Sequence, residues 1–137
     1  MLDEWNATRK KIEESRNNLR GADLSHAKLM NADLRGADLT EADLSFSYLM
    51  RANLADAKLS AADLSYAVIC EADLRRADLG EADLTETYLH GADLSEASNL
   101  TAEQVESAYI DKETKIPEYL EVEWISDKAF VCRDKRG

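Results

Sequence analysis

Residues 21–40 read Gly21-Ala22-Asp23-Leu24-Ser25, His26-Ala27-Lys28-Leu29-Met30, Asn31-Ala32-Asp33-Leu34-Arg35 and Gly36-Ala37-Asp38-Leu39-Thr40, and the same five-residue unit continues without a gap to Gly91-Ala92-Asp93-Leu94-Ser95. A large apolar residue stands at every fifth position from Leu19 to Leu94, Ile69 being the single departure from Leu, and a small residue precedes most of them by two. On an α-helix a step of five residues turns by about 140°, so these leucines would spiral around all sides and leave no buried stripe. In a flat strand, residues five apart point to opposite faces while residues two apart share one. Each unit is therefore a short extended piece followed by a turn, and the chain must wind. If four units close one coil, the coils stack about 4.8 Å apart and the whole repeat makes four coils about 19 Å tall. Leu and the Ala two before it then point inward, where a methyl group fills a corner that a larger side chain would overpack.

Ala-Asp-Leu-x-x in unbroken tandem resembles the pentapeptide repeat family over residues 19–98. That resemblance implies an all-β repeat solenoid, a right-handed quadrilateral β-helix. It further implies a noncatalytic scaffold for protein–protein interaction. Some members of the family bind DNA gyrase in place of DNA, so mimicry of nucleic acid by regular carboxylates is the alternative function the resemblance carries. The repeat from Leu19 to Ser98 holds 15 acids and 7 bases, a net charge of -8, which agrees in sign with such mimicry.

The full chain has 137 residues, 17 Lys+Arg against 28 Asp+Glu, a net charge of -11, and 45% hydrophobic but only 7% aromatic residues. These values fit one acidic domain. The charge argues against direct binding to nucleic acid or to anionic lipid. No apolar run is long enough to span a bilayer, and the opening segment Met1 to Asn6 lacks the apolar stretch of a signal peptide, so the expected location is the cytoplasm. Cys70 and Cys132 are too few for a disulfide framework or a four-cysteine zinc site.

A stack of coils exposes apolar core and unpaired backbone at each end, and both flanks read as covers. Residues 1–18 form the expected N-terminal capping helix, with Leu2, Trp5, Ile12 and Leu19 at helical spacings. Residues 19–98 are the repeat, and residues 99–137 the C-terminal cap and tail. There Thr101-Ala102-Glu103-Gln104 has the form of a capping box opening a short helix through Val105 and Ala108. The segment Asp111 to Pro117 resembles the one that follows the repeats in cyanobacterial members of the family. Leu120, Val122 and Trp124 then alternate with Glu121 and Glu123 ahead of Ala129 to Cys132, which predicts one or two strands, a hairpin if two.

Side chains 20 residues apart stack into columns, and the columns differ. One outward column is the acidic ladder Asp23, Asp43, Asp63 and Asp83; a second is Asp33, Asn53, Asp73 and Asp93. The side that holds Lys28, Tyr48, Val68 and Tyr88 also carries Met30, Met50, Cys70 and His90, and is entered through His26, Phe46, Tyr66 and Glu86. Phe46, Tyr48, Met50, Tyr66, Val68 and Tyr88 thus form an apolar, aromatic face, the candidate interface. Three covers for it are open: the chain's own tail or N-terminal helix, a second copy in a homodimer, or a different protein. The ladder carries a structural reading, in which each Asp bonds backbone donors of its own turn, beside the mimicry reading.

No nucleophile, base and oxyanion donors converge in the sequence, so no catalytic residues and no enzyme activity are expected. Cys70 and His90 lie one coil apart in one column, but two ligands fall short of a metal site, and neither metal nor cofactor is expected. The inward assignment makes a clear prediction: Leu54→Asp, which buries a charge, lowers thermal stability by several kcal/mol, whereas Arg75→Ala on the outside changes it little. Equal losses in thermal melts of the two variants would contradict it.

Overall fold

The computed structural model describes residues 2–137; Met1 and the side chain of Leu2, the first of the four helical apolar positions, lie outside the described residues. In the repeat the chain makes parallel bridges to itself in four columns at a spacing of 20 residues, for example Asp23 to Asp43 to Asp63 to Asp83, and Asp33 to Asn53 to Asp73 to Asp93. Each side of a coil thus contributes one bridging residue. Regular strands occur elsewhere, in β1 (Leu120–Trp124) and β2 (Phe130–Asp134).

The five amides of one unit show why the winding repeats. The small residue two before Leu closes the corner within its own coil, as Ala27 N–H does to Leu24 C=O at 3.1 Å. The residue before Leu donates to the preceding coil, as Asp43 does to Ala22 at 2.9 Å. Leu itself donates to the following coil, as Leu44 does to Asp63 at 2.8 Å, and so does the residue two after it, as Phe46 does to Ser65 at 3.0 Å. The remaining amide, just after Leu, is taken by the Asp or Asn two residues earlier: Ser45 N–H to Asp43 Oδ1 is 3.0 Å and Ala55 N–H to Asn53 Oδ1 is 3.1 Å.

The corner has a conformational cost. The residue two after each Leu is left-handed, with φ near 60° at Phe46, Asp56, Ala61, Tyr66, Arg76 and their counterparts, and only Gly21, Gly36 and Gly91 among the repeat corners are glycines. Third positions of such turns favour glycine because a Cβ there crowds the backbone by about 1–2 kcal/mol. From Gly21 to Arg76 the amide of the same residue donates to the next coil, so stacking holds the corner in place.

Inside, Leu29, Leu34, Leu39, Leu44, Leu49, Leu54 and the later centres through Leu94 are buried, as are the inward alanines from Ala32 onward. Ser47 and Thr87 replace alanine there and are also buried. Thr87 Oγ1 donates to Leu64 C=O at 2.7 Å, whereas Ser47 Oγ finds no protein partner among the described residues.

Helix α1 (Leu2–Glu14) and a 3-10 turn over Arg16–Asn18 lead into the first coil. They supply what a preceding coil would: Glu13 Oε2 accepts the Asp33 amide at 2.6 Å, Arg16 C=O accepts the Asp38 amide at 2.8 Å, and the Arg9 and Arg16 guanidinia donate to Met30 C=O and Asp33 C=O, both at 3.3 Å. At the other end α2 (Ala102–Ser107) begins with a complete Thr101–Gln104 capping box. Gln104 Nε2 donates to Leu79 C=O at 2.8 Å and Ala82 C=O at 2.9 Å, and Tyr119 Oη to Ala97 C=O at 3.1 Å. Two columns run on past the repeat, through Tyr88 to Tyr109 and Asp93 to Lys115. The antiparallel pair β1–β2 adjoins α2, where Glu106 Oε2 accepts the Cys132 amide at 2.9 Å.

The left-handed corners give a paired prediction. Ala61→Gly is expected to raise thermal stability and Gly36→Ala, whose added Cβ would meet open space, to lower it, each by about 0.5–1 kcal/mol after the unfolded-chain entropy of glycine is counted. Shifts of the same sign in thermal melts would contradict the corner account.

Candidate functional site

The unit's backbone explains why one side differs from the others. Where Asp or Asn precedes Leu, its carboxylate or amide oxygen holds the amide two residues on. Lys28, Tyr48, Val68 and Tyr88 cannot do this for Met30, Met50, Cys70 and His90, so this side gives up a local bond in every coil. Residues that break a stabilising local pattern without a structural gain mark functional surface.

The corner entering that side is a stack of rings. His26 and Phe46 lie with centroids 5.1 Å apart, Phe46 and Tyr66 4.9 Å apart, both pairs inclined by 5°. The Glu86 carboxylate continues the column beside Tyr66, and its charge raises the phenol above its ordinary value. In the neighbouring column Tyr48, Val68 and Tyr88 bridge in sequence, and Tyr109 stacks on Tyr88 at 5.0 Å. At the α1 end, Lys28 Nζ sits 5.0 Å from the Trp5 ring and 5.5 Å from the Tyr48 ring. Cation–π attraction thus ties the helix to the face.

The face is open to solvent. Phe46 is 46% exposed, Tyr48 40%, Tyr66 41%, Tyr88 40% and Tyr109 43%, while Met50 and Val68 are half-buried. Neither α1 nor the tail covers it, so the first of the three covers is absent: α1 reaches only its edge at Trp5, and the hairpin turns to α2. Phe130 packs with Trp124 at 5.3 Å, and Leu120 and Cys132 are buried. Spacing by 20 missed Tyr109, because α2 inserts one residue between it and Tyr88; it missed Trp5 because helical periodicity placed that ring on the core side.

On the adjacent side each ladder Asp is engaged by its own turn. Asp23, Asp43 and Asp63 accept both the amide and the hydroxyl of Ser25, Ser45 and Ser65, the hydroxyl bonds all being 2.6 Å, and Asp83 accepts the Thr85 amide at 2.9 Å. Among the described residues no base lies within ion-pair reach of these four carboxylates. The second acidic column is largely neutralised instead: Arg35 chelates Asp33 and Arg75 chelates Asp73, with closest approaches of 2.9 and 2.7 Å.

Cys70 Sγ lies 3.9 Å from His90 Nδ1. Burial pushes the Cys70 thiol up, and it pushes Cys132 up to about 11. Among the described residues no three His, Cys, Asp or Glu side chains are placed to share a metal ion, and no helix is long and apolar enough to cross a membrane.

Residues 18–56 and 62–98 match the family model for pentapeptide repeats, in eight copies. The chain is similar to a solved pentapeptide repeat protein from the cyanobacterium Cyanothece 51142, with 31% identity, TM-score 0.64, and coverage of 71% of this chain and 65% of that one. It is also similar to HetL, a pentapeptide repeat protein involved in heterocyst differentiation regulation in the cyanobacterium Nostoc, at 30% identity and TM-score 0.39, covering 71% of this chain and 50% of HetL. QnrB1, a plasmid-mediated fluoroquinolone resistance protein, aligns at 18% identity and TM-score 0.51 over 72% of this chain and 55% of that one, a likeness of fold. The chain thus spans less than two thirds of the length of each of these proteins. Among curated proteins none matches. The likeness implies a right-handed quadrilateral β-helix.

The carboxylate bonds fix the acid response. Asp33 is lowered from an ordinary 3.8 to about 2, chiefly by its hydrogen bond to Arg35. Asp23 and Asp38 are lowered by the Ser25 and Thr40 hydroxyls, and Asp56 and Asp73 by Arg76 and Arg75. Carboxyls depressed in the folded state stabilise it above their unfolded value and lose that contribution as pH falls through the folded one. Thermal stability is therefore expected to drop between about pH 4 and pH 2, less steeply in Arg35→Gln. A melting temperature flat across that window would overturn the assignment.

Proposed function

The chain belongs to the pentapeptide repeat family, and on that premise we propose that it is a noncatalytic scaffold that binds another protein through the aromatic face. The observation that carries this reading is the exposure of Phe46, Tyr48, Tyr66 and Tyr88, each 40–46%, on one side of an otherwise polar solenoid. Aromatic residues enrich interface cores, and rings held in a stack lose little freedom on binding. The four coils, closed by residues 1–18 and 99–137 as caps, make a rigid support for that surface. Cytoplasmic residence belongs to the same proposal. A second copy and a different protein are the two occupants to be separated.

The acidic ladder favours a second reading, mimicry of DNA toward a DNA-binding enzyme such as gyrase, because Asp23, Asp43, Asp63 and Asp83 form a row about 4.8 Å apart without neutralising bases. The chelation of Asp33 and Asp73 by arginines confines that row to one side. Excess protein that leaves gyrase supercoiling unchanged would remove this reading.

Light scattering with size exclusion on the wild type and on Tyr48→Asp, Tyr66→Asp tests the main proposal. A dimer that becomes a monomer in the variant assigns the face to self-association. A monomeric wild type that captures a partner from its own cells, lost in the variant, assigns it to a different protein. A variant that keeps the wild-type mass and the wild-type partners overturns the interface.

A further inference from the structure

The aromatic face and the acidic ladder meet at one corner of the coil. Asp43 and Asp63 precede Phe46 and Tyr66 by three residues, so ladder and rings stand no more than about 11 Å apart along the backbone. An α-helix with its side chains is about 10–12 Å across, wide enough to rest on the rings and overhang the ladder. Each ladder carboxylate engages its own turn through Oδ1, and among the described residues no donor reaches Oδ2. In the column of Tyr48, Val68 and Tyr88 the half-buried Val68 lies between two exposed rings, and its shorter side chain leaves a notch for one aliphatic group.

Charge and spacing decide between occupants. A second copy would bring another net charge of -11 to a face already bordered by four carboxylates, which disfavours it against a basic partner. The bases of this side leave that border free: Lys28 is held at the α1 end between Trp5 and Tyr48, and Arg51 stands on the far corner, bonded to Asn31 Oδ1. An extended segment repeats one face every 6.8 Å or so, and over the three steps from Asp23 to Asp83 it falls about 6 Å out of register with coils about 4.8 Å apart. A helix, with a pitch of about 5.4 Å, falls out by less than about 2 Å, within the play of a long side chain. Resting on the interface reading above, we propose that the face seats an amphipathic helix of another protein, basic along one flank. Its apolar stripe lies on the rings with one aliphatic residue in the Val68 notch, and Arg or Lys residues one turn apart donate to the free Oδ2 atoms of Asp23, Asp43, Asp63 and Asp83.

The test is selection on the immobilised full chain from a displayed library of helical peptides of about 16 residues, about 24 Å long, with an apolar stripe and with flanks randomised among Arg, Gln and Glu. Peptides with Arg along one flank are expected to be enriched. The selected peptide is then expected to bind about tenfold more weakly to Asp43→Asn, Asp63→Asn, in which the side-chain oxygen keeps the turn bond as Asn53 does. It is expected not to bind Val68→Lys, a residue the same column already carries at Lys28. Glu121→Gln, Glu123→Gln, which removes as much charge from the hairpin, is expected to bind it as the wild type does. No enrichment, enrichment of Gln or Glu flanks, or equal binding by the ladder and hairpin variants would overturn the basic helix. The interface itself would still stand if Tyr48→Asp, Tyr66→Asp lost its dimer or its partner, and would fall as well only if that variant kept both.

Discussion

Each corner from Gly21 to Arg76 depends on one bond, the amide of its left-handed residue donating to a carbonyl of the next coil. Phe46 donates to Ser65, Arg51 to Cys70, Asp56 to Arg75 and Tyr66 to Thr85, at 2.9 to 3.0 Å. Without that bond the corner would be a row of side chains in a conformation that suits glycine. With it, the turn in every five-residue unit is fixed, Leu and Ala are aimed inward, and the outward positions are freed from any role in the core. The column of rings at His26, Phe46 and Tyr66 exists because the corners that carry them are stacked by this bond.

The same requirement shapes both ends. Backbone groups that would meet another coil must meet something else. Glu13, Arg9 and Arg16 take that part below, and Gln104, Thr114 and Tyr119 above, with Thr114 Oγ1 donating to Leu89 C=O at 2.9 Å. These are side chains imitating backbone, so the flanks differ in sequence from the repeat yet satisfy its hydrogen-bond pattern.

Much of this is legible in the residues. The five-residue period excludes a helix, places Leu24 through Leu94 inside, and brings Tyr48, Val68 and Tyr88 into one column, because each statement depends only on spacing. The hairpin and the Thr101–Gln104 capping box are legible for the same local reason. The roles of Glu13 and Arg16 are not, since a charged residue on a helix says nothing about which carbonyl or amide it will reach. Tyr109 escapes because α2 shifts the period to 21 at that point. That the tail leaves the aromatic face open depends on where β2 meets α2 through Glu106 and Cys132, a contact 26 residues apart in the chain that no periodicity encodes.

Native-state hydrogen exchange at the corner amides of Phe46, Arg51, Asp56, Ala61, Tyr66 and Arg76 tests the stacking account most directly. These residues are exposed, yet their amides are expected to exchange only with global unfolding, as slowly as those of Leu44 and Leu54. Exchange at the rate of the hairpin turn between Ser126 and Lys128 would show that the corners are not held by the next coil and would contradict the account.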